Sequence, residues 1–371
     1  MISEKMETYS KREIKRAGKE LALGNATKDV IKKVNYWRYL HLHPLKTIQQ
    51  NIEKKLRQNN INSFETSQRL KRLLSIISKL KRRKEENKEM YLTQMQDIGG
   101  CRIVFDNYDT LEKAKKNLSS IGKHYYEKVN NYIDLPKEDG YRSIHFIYNY
   151  NSKSKYNGLK IELQIRTKLQ HIWATSVETA GIITKTNIKY GKGDNRWKEF
   201  FQIVSSLFAI QENLPILDIH KNISNDILME KCYNLIKDLN VEEVLKTVKI
   251  TQNHIAKKGI KEGYCLLDID FIDKRVAIYS FKAKDRNKAN IKYSEIESKN
   301  SDKDKKSVVL VSVKTFNDLK KAYPSYFLDT SDFIFELKKI QKKYESILKE
   351  KQKSNPLLNK IRYWIKSILK K

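Results

Sequence analysis

Apolar and polar positions change period several times along the chain, and those changes outline its elements. The first ninety residues carry helical spacing. The clearest case is 67–83, where Leu70, Leu73, Leu74, Ile77 and Leu80 recur at three- and four-residue intervals and form one stripe. Lys71, Arg72, Ser75, Lys79 and Arg82 gather opposite, with Arg69 at the margin, so one basic-faced helix is predicted there. CRIVF (101–105) then reads as a short buried strand, followed by a helix from Tyr108 to near Gly122. DLPKEDGY (134–141) has turn chemistry and leads into a strand over 143–150. Asn157-Gly158 opens the strand LKIELQIRT (159–167), whose period of two puts Ile161, Leu163 and Ile165 on one face. Glu162, Gln164 and Arg166 share the other face. A helix over 167–180 should bury Leu169, Ile172, Trp173 and Val177; KYGKGDNR (189–196) reads as a loop and 197–211 as another amphipathic helix.

Pro215 marks the expected domain boundary. Beyond it the pattern predicts helix to about residue 258, strands near 264–272 and 275–282, and a polar, mobile insertion over 284–306. A strand over 307–313 and further helices complete the chain. No internal repeat is visible. From Lys338 onward, 12 Lys+Arg face only 2 Glu, and the segment NPLLNKIRYWIKSILKK places its Leu, Ile and Trp on one side. That face suits docking on the protein's own core better than binding anionic lipid or RNA.

Composition narrows the class. No apolar run approaches the eighteen or so residues of a membrane span, and the first twenty residues have no apolar centre behind their charges. Cys101, Cys232 and Cys265 form no CxxC pair, which disfavours disulfide scaffolds and zinc ribbons and suits a reducing cytoplasm. The net charge is +31, divided as +13 over 1–90, +6 over 91–210 and +12 over 211–371. Abundant Lys, Asn, Ile and Tyr fit AT-rich coding DNA, but the shortage of acids favours polyanionic partners. The near-balanced middle is where carboxylates could hold a metal among phosphate-binding cations.

Several side chains there carry candidate chemistry. Glu162 and Arg166 on one face of a buried strand are costly unless they bind something or pair with each other. Asp97, two residues before Gly99-Gly100, could join Glu162 as an oxygen ligand for Mg²⁺, although an Asp before a glycine turn commonly caps the turn. Lys137, Tyr141, Arg142 and His145 bring an aromatic ring and cations to one glycine-bearing loop, which suits a nucleotide. His41 and His43 before Pro44 read as a helix boundary rather than a metal pair, and no P-loop GxxxxGK[ST] occurs.

RxKxxxSIxxKL (69–80), DIGGCR (97–102), DLPKEDGYRSIH (134–145) and IELQIRTKLQHIWA (161–174) together resemble, in order and spacing, the motifs of the RelA/SpoT alarmone synthetase family. The similarity spans about 30–212 and has the look of a synthetase-only, small or toxin-like member with a C-terminal extension. It implies an α/β (α+β) fold, a nucleotidyltransferase-like mixed sheet flanked by helices, plus a C-terminal α+β module. The implied activity is that of a GTP diphosphokinase: pyrophosphate passes from ATP to the 3′-hydroxyl of GTP or GDP, making (p)ppGpp-type alarmones with Mg²⁺ as cofactor.

Carried over by residue, the resemblance assigns Arg69, Lys71, Ser75 and Lys79 to ATP. Asp97 and Glu162 become the metal-binding catalytic carboxylates, Glu162 also helping to deprotonate the hydroxyl. Lys137, Tyr141, His145, Gln164 and Arg166 go to the acceptor, with Tyr141 stacking on guanine. Asp139 departs from a common Asn, the sequence after Ala174 departs from the usual acidic-aromatic run, and no His-Asp pair marks the hydrolase half of longer relatives. The expected division is a synthetase domain over 1–215 with a helical N-terminal part and a module over 216–371 that restrains it, alone or under a regulatory protein. A tRNA 3′ end as acceptor, and a non-catalytic RNA- or ribosome-binding role, remain as alternatives; a homo-oligomer is also compatible.

Overall fold

The computed structural model describes residues 8–118, 120–184, 195–246, 263–270, 275–299, 306–313 and 329–353. The expected loop over 189–196 falls largely outside them, and the amphipathic tail after residue 353 entirely so. The described residues form two compact units that interleave along the chain rather than dividing at residue 215. The first holds the described residues up to Leu135, Arg142–His171, and those within 249–328; the second holds Pro136–Tyr141, the described residues of 172–248, and those from Asp329 onward.

The first unit opens with helices α1 (Lys11–Leu23), α2 (Lys28–Leu40) and α3 (Leu42–Gln58). Ser10 and Glu13 close α1 with a reciprocal capping box, and Thr27 caps α2. His41 sits at the break between α2 and α3, fully buried, its Nδ1 2.8 Å from the Trp37 carbonyl oxygen. Burial pushes its pKa down to about 4 despite that contact, so it is a neutral core histidine.

The helix expected over 67–83 is instead two elements. Phe64–Leu70 is strand β1, and helix α4 (Leu73–Glu85) begins only after an extended Arg72. Long-range pairing overrides the local pattern: β1 pairs along its whole length with β2 (Gly99–Phe105), and at Gln68 and Arg69 with β9 (Lys306–Val313). Of the predicted stripe, Leu73 and Leu80 pack inward together with Ile76, joining Ile14, Leu21, Val34 and Trp37, while Ile77 is only partly buried against them.

Helix α5 (Tyr108–Asn117) follows β2, then the short β3 (Ser120–Ile121), β4 (His124–Asn131), β5 (Ile144–Asn149) and β6 (Lys160–Thr167). Completing this unit are β7 (Gly263–Asp270), β8 (Arg275–Lys282), helix α10 (Arg286–Lys299) and β9. Among the described residues, nine strands form one mixed sheet in the order β3-β4-β5-β6-β2-β1-β9-β7-β8, antiparallel except for the β2–β6 pair. Part of the expected C-terminal module is therefore the continuation of the sheet.

The polar stretch expected to be mobile is also corrected, because 286–299 is helical. Ala289 and Tyr293 of α10 pack on Tyr264, Leu266, Val308 and Leu310. A narrow apolar contact, three or four residues apart along the helix, is enough to seat it on the sheet.

The second unit is built from α6 (Lys168–Ile183), most of which it contains, α7 (Asn195–Gln211), α8 (Asn225–Asp238), α9 (Val241–Lys246) and α11 (Ser331–Lys353). Its core stacks Phe333 of α11 on Phe201, with Phe200 and Phe208 edge-on. The loop 136–141 is fastened to α7: Ser205 Oγ donates to the Gly140 carbonyl at 2.6 Å and Gln202 Nε2 to the Glu138 carbonyl at 2.6 Å. Gly140 has φ +95°, and a Cβ there would lie 3.0 Å from Trp173 Cζ2 and 3.0 Å from Ser205 Cβ. Gly140→Ala therefore meets both backbone strain and overpacking and should cost about 1–3 kcal/mol. Urea unfolding checks this; a variant as stable as wild type would contradict the packing described.

Candidate active site

Register places the polar residues of the sheet in two adjacent rows of the first unit. In one, Arg69 of β1 is opposite Gly100 of β2, which is opposite Glu162 of β6. In the next, Ser67, Arg102, Gln164 and His145 follow one another across β1, β2, β6 and β5. The period-two reading of 159–167 is thus realised, and a chain of hydrogen bonds joins its polar side. Arg166 Nη2 donates to Gln164 Oε1 at 2.7 Å, and Gln164 Nε2 donates to Glu162 Oε2 at 2.7 Å. His145 Nδ1 lies 3.0 Å from the other oxygen, Glu162 Oε1, while Tyr132 meets the His145 ring edge-on at 5.3 Å.

A second cluster forms where the chain enters β2. Asp97 receives Lys71 Nζ at 2.8 Å on Oδ2 and Lys79 Nζ at 3.0 Å on both oxygens. Lys71 comes from the link between β1 and α4, and Lys79 from α4 itself, one turn beyond Ser75. Gly99 gives β2 room to approach its neighbours, since a Cβ there would stand 2.8 Å from Ile161 Cδ1 and 3.3 Å from His41 Cβ.

The electrostatics keep both carboxylates ionised. Burial raises the Asp97 pKa, but Lys71 and then Lys79 outweigh it and bring it to about 2. Burial likewise works against ionised Glu162, yet the His145 hydrogen bond and charge leave it below the usual glutamate value, with Asp97 opposing. Lys71 is drawn down by burial, against the pull of Asp97. Asp97 and Glu162 act on each other across the face, and both are oxygen donors. Among the described residues no cluster of three or more His, Cys, Asp or Glu gathers. Two ionised carboxylates fit a hard divalent ion that completes its shell with water and phosphate oxygens.

Of the expected residues, the first unit therefore brings together Lys71, Lys79 and Asp97, and separately His145, Glu162, Gln164 and Arg166. Arg69 lies in the Glu162 row, on a strand rather than a helix. Arg142 is buried and donates through Nη1 to the Ile133 carbonyl at 3.2 Å, a structural position. Arg102 is an addition, facing Gln164 by register; the alternation Cys101-Arg102-Ile103 carried the signal.

Lys137 and Tyr141 belong to the second unit, on the 136–141 loop. The Lys137 ammonium lies 5.0 Å from the Tyr141 ring centre, and the Tyr141 N–H donates to Asp139 Oδ1 at 2.9 Å. Asp139 thus shapes the turn, a task that Asn at this position would perform equally.

Residues 68–192 match the family described as "Region found in RelA / SpoT proteins". GTP pyrophosphokinase YwaC of Bacillus subtilis is 34% identical over 114 residues, 30% of this chain and 54% of the relative. GTP pyrophosphokinase YjbM of the same organism is 33% identical over 109 residues, 29% of this chain and 51% of the relative. The chain thus spans about half the length of these curated relatives. Among solved structures, small alarmone synthetase 1 from Bacillus subtilis, bound to its product pppGpp, aligns with 47% of this chain and 89% of its own. That alignment has 24% identity and a TM-score of 0.39. Among the described residues no helix is long and apolar enough to cross a membrane.

The depressed Asp97 pKa links to stability with a definite sign. Its contribution is complete above the unfolded value near 3.8 and is lost as pH falls through about 2. Wild type should therefore exceed Asp97→Asn in unfolding free energy by about 1–2 kcal/mol at pH 7. The gap should narrow between pH 4 and pH 2. Urea titrations across that range measure it, and a gap independent of pH would refute the pairing with Lys71 and Lys79.

Proposed function

We propose that the chain is a pyrophosphokinase that transfers the β,γ-pyrophosphate of ATP to the 3′-hydroxyl of GTP or GDP, making (p)ppGpp-type alarmones. The observation that carries this reading is the pair of ionised carboxylates: Asp97, held by Lys71 and Lys79 at the entrance to β2, and Glu162 on β6, held by His145 and Gln164. The names of the curated relatives agree with it.

In this reading Arg69, Lys71, Ser75 and Lys79 bind the ATP phosphates, where the two lysines offset charge that builds on the transferred group. Asp97 and Glu162 would hold Mg²⁺, which when bound neutralises phosphate charge. The acceptor 3′-oxygen forms a bond to the β-phosphorus, the bond from that phosphorus to the α,β-bridging oxygen breaks, and AMP leaves with that oxygen. The hydroxyl proton passes to Glu162. A carboxylate held below its usual pKa is a weak base, so Glu162 contributes through placement by His145 and Gln164. His145, Gln164 and Arg166 of the first unit serve the acceptor.

The test is transfer of label from γ-labelled ATP in the presence of GDP, GTP or bulk tRNA. Label is expected on the guanine nucleotide. Asp97→Asn and Glu162→Gln should each lower that transfer by at least about a hundred-fold, since one well-placed catalytic charge is worth that much. Near-normal turnover in either carboxylate variant would defeat the site assignment. Label on tRNA that disappears as salt rises would redirect the acceptor to an RNA 3′ end, the outcome that the net charge of +31 would then explain.

A further inference from the structure

Helix α4 begins without the usual local help. Its N-cap residue, Arg72, makes no side-chain capping bond, and no acidic residue lies in its first turn. The missing carboxylate arrives from far along the chain: Glu297, on α10, accepts the Leu73 N–H at 2.9 Å through Oε1. Glu297 is itself buried and held by two donors, Tyr293 Oη at 2.6 Å on Oε1 and Arg38 Nη1 at 2.8 Å on Oε2.

Arg38 carries the connection further. Only 2% exposed, it also donates through Nη1 to Asn35 Oδ1 at 2.7 Å, through Nη2 to the Tyr293 hydroxyl, and through Nε to the Lys71 carbonyl at 2.9 Å. Its guanidinium carbon stands 4.7 Å from the Tyr293 ring centre. The Lys71 N–H is meanwhile bonded to the Ile98 carbonyl at 2.8 Å, beside Asp97. Both backbone polar groups of Lys71 are thus pinned, one by the strand entrance and one by Arg38. The next N–H but one, that of Leu73, is pinned by Glu297. A buried guanidinium needs a carboxylate partner to remain in place, and no other acidic group is seen to bond to it among the described residues.

We infer that Glu297 is a positioning residue for the nucleotide site: from α10, and through Arg38, it fixes the 71–73 backbone so that the Lys71 ammonium is presented to the ATP phosphates. This rests on the function proposed above. Glu297 touches no substrate in this account; it lies outside the matched 68–192 segment, on the helix that packs on β7 and β9. Order in the link matters because a shift of an ångström in a phosphate-binding cation is felt strongly in binding and rate.

The experiment measures binding to the full chain by calorimetry, using the α,β-methylene analogue of ATP and, separately, GDP, with melting temperature recorded on the same samples. In Glu297→Gln the amide oxygen can still accept from Leu73, but the charge facing Arg38 is gone. The Kd for the ATP analogue should rise on the order of ten-fold or more, with that for GDP unchanged. Tyr293→Phe, which removes one donor to Glu297 and keeps the ring, should shift the same constant in the same direction by a smaller factor. It decides the matter if Glu297→Gln does not fold. Folded variants that melt earlier yet bind the ATP analogue as wild type does would overturn the inference, as would equal weakening of both ligands. Wild type that binds neither nucleotide would remove the functional reading itself, and the inference with it.

Discussion

The polar heptapeptide FETSQRL becomes a strand because β2 pairs with every one of its residues and β9 joins it at Gln68 and Arg69. That pairing sets the positions of most candidate groups. It puts Arg69 into the Glu162 row, forces Lys71 and Arg72 to serve as a link, and makes α4 begin at Leu73. Lys79 then falls beside Asp97, which stands just before the partner strand of β1. A helix running unbroken through 67–83 would set Arg69 and Lys71 on rungs of one spiral and separate them from the carboxylate face.

The charges in the first unit are neutralised from within. Asp97 lies between two ammonium groups, and Glu162 between an imidazole and an amide, so neither carboxylate is buried unpartnered. An arriving triphosphate would have to draw Lys71 and Lys79 away from Asp97. The interactions needed for a polyanion are thus already assembled, and exchanging one anionic partner for another requires little reorganisation.

Legibility of these features followed the range of the forces behind them. The Glu162-Gln164-Arg166 face was readable because a strand's period of two is local, and the hydrogen bonds along that face bear it out. The strand at 64–70 was not: five of its seven residues are polar, and its extended form comes from neighbours distant in sequence. Leu70 even continued the helical spacing of Leu73 to Leu80, which disguised the boundary. The 284–306 region misled for the opposite reason, since Ala289 and Tyr293 are too few to form an evident stripe, although their four-residue separation was a usable sign. The helix break at His41 was legible too, because a proline three residues on restricts where the next helix can begin.

The long sequence separation between Arg38 and Glu297 also orders events in time. Ribosomes add about 5–20 residues per second, so Arg38 is synthesised roughly ten to fifty seconds before the carboxylate that partners it, 259 positions later. Over the same interval β1 has β2 on one side but not yet β9 on the other. A nascent chain that already contains every candidate catalytic side chain still lacks the anchor for the start of α4. Ordering of the link at 71–73 is thereby deferred until translation has passed residue 297.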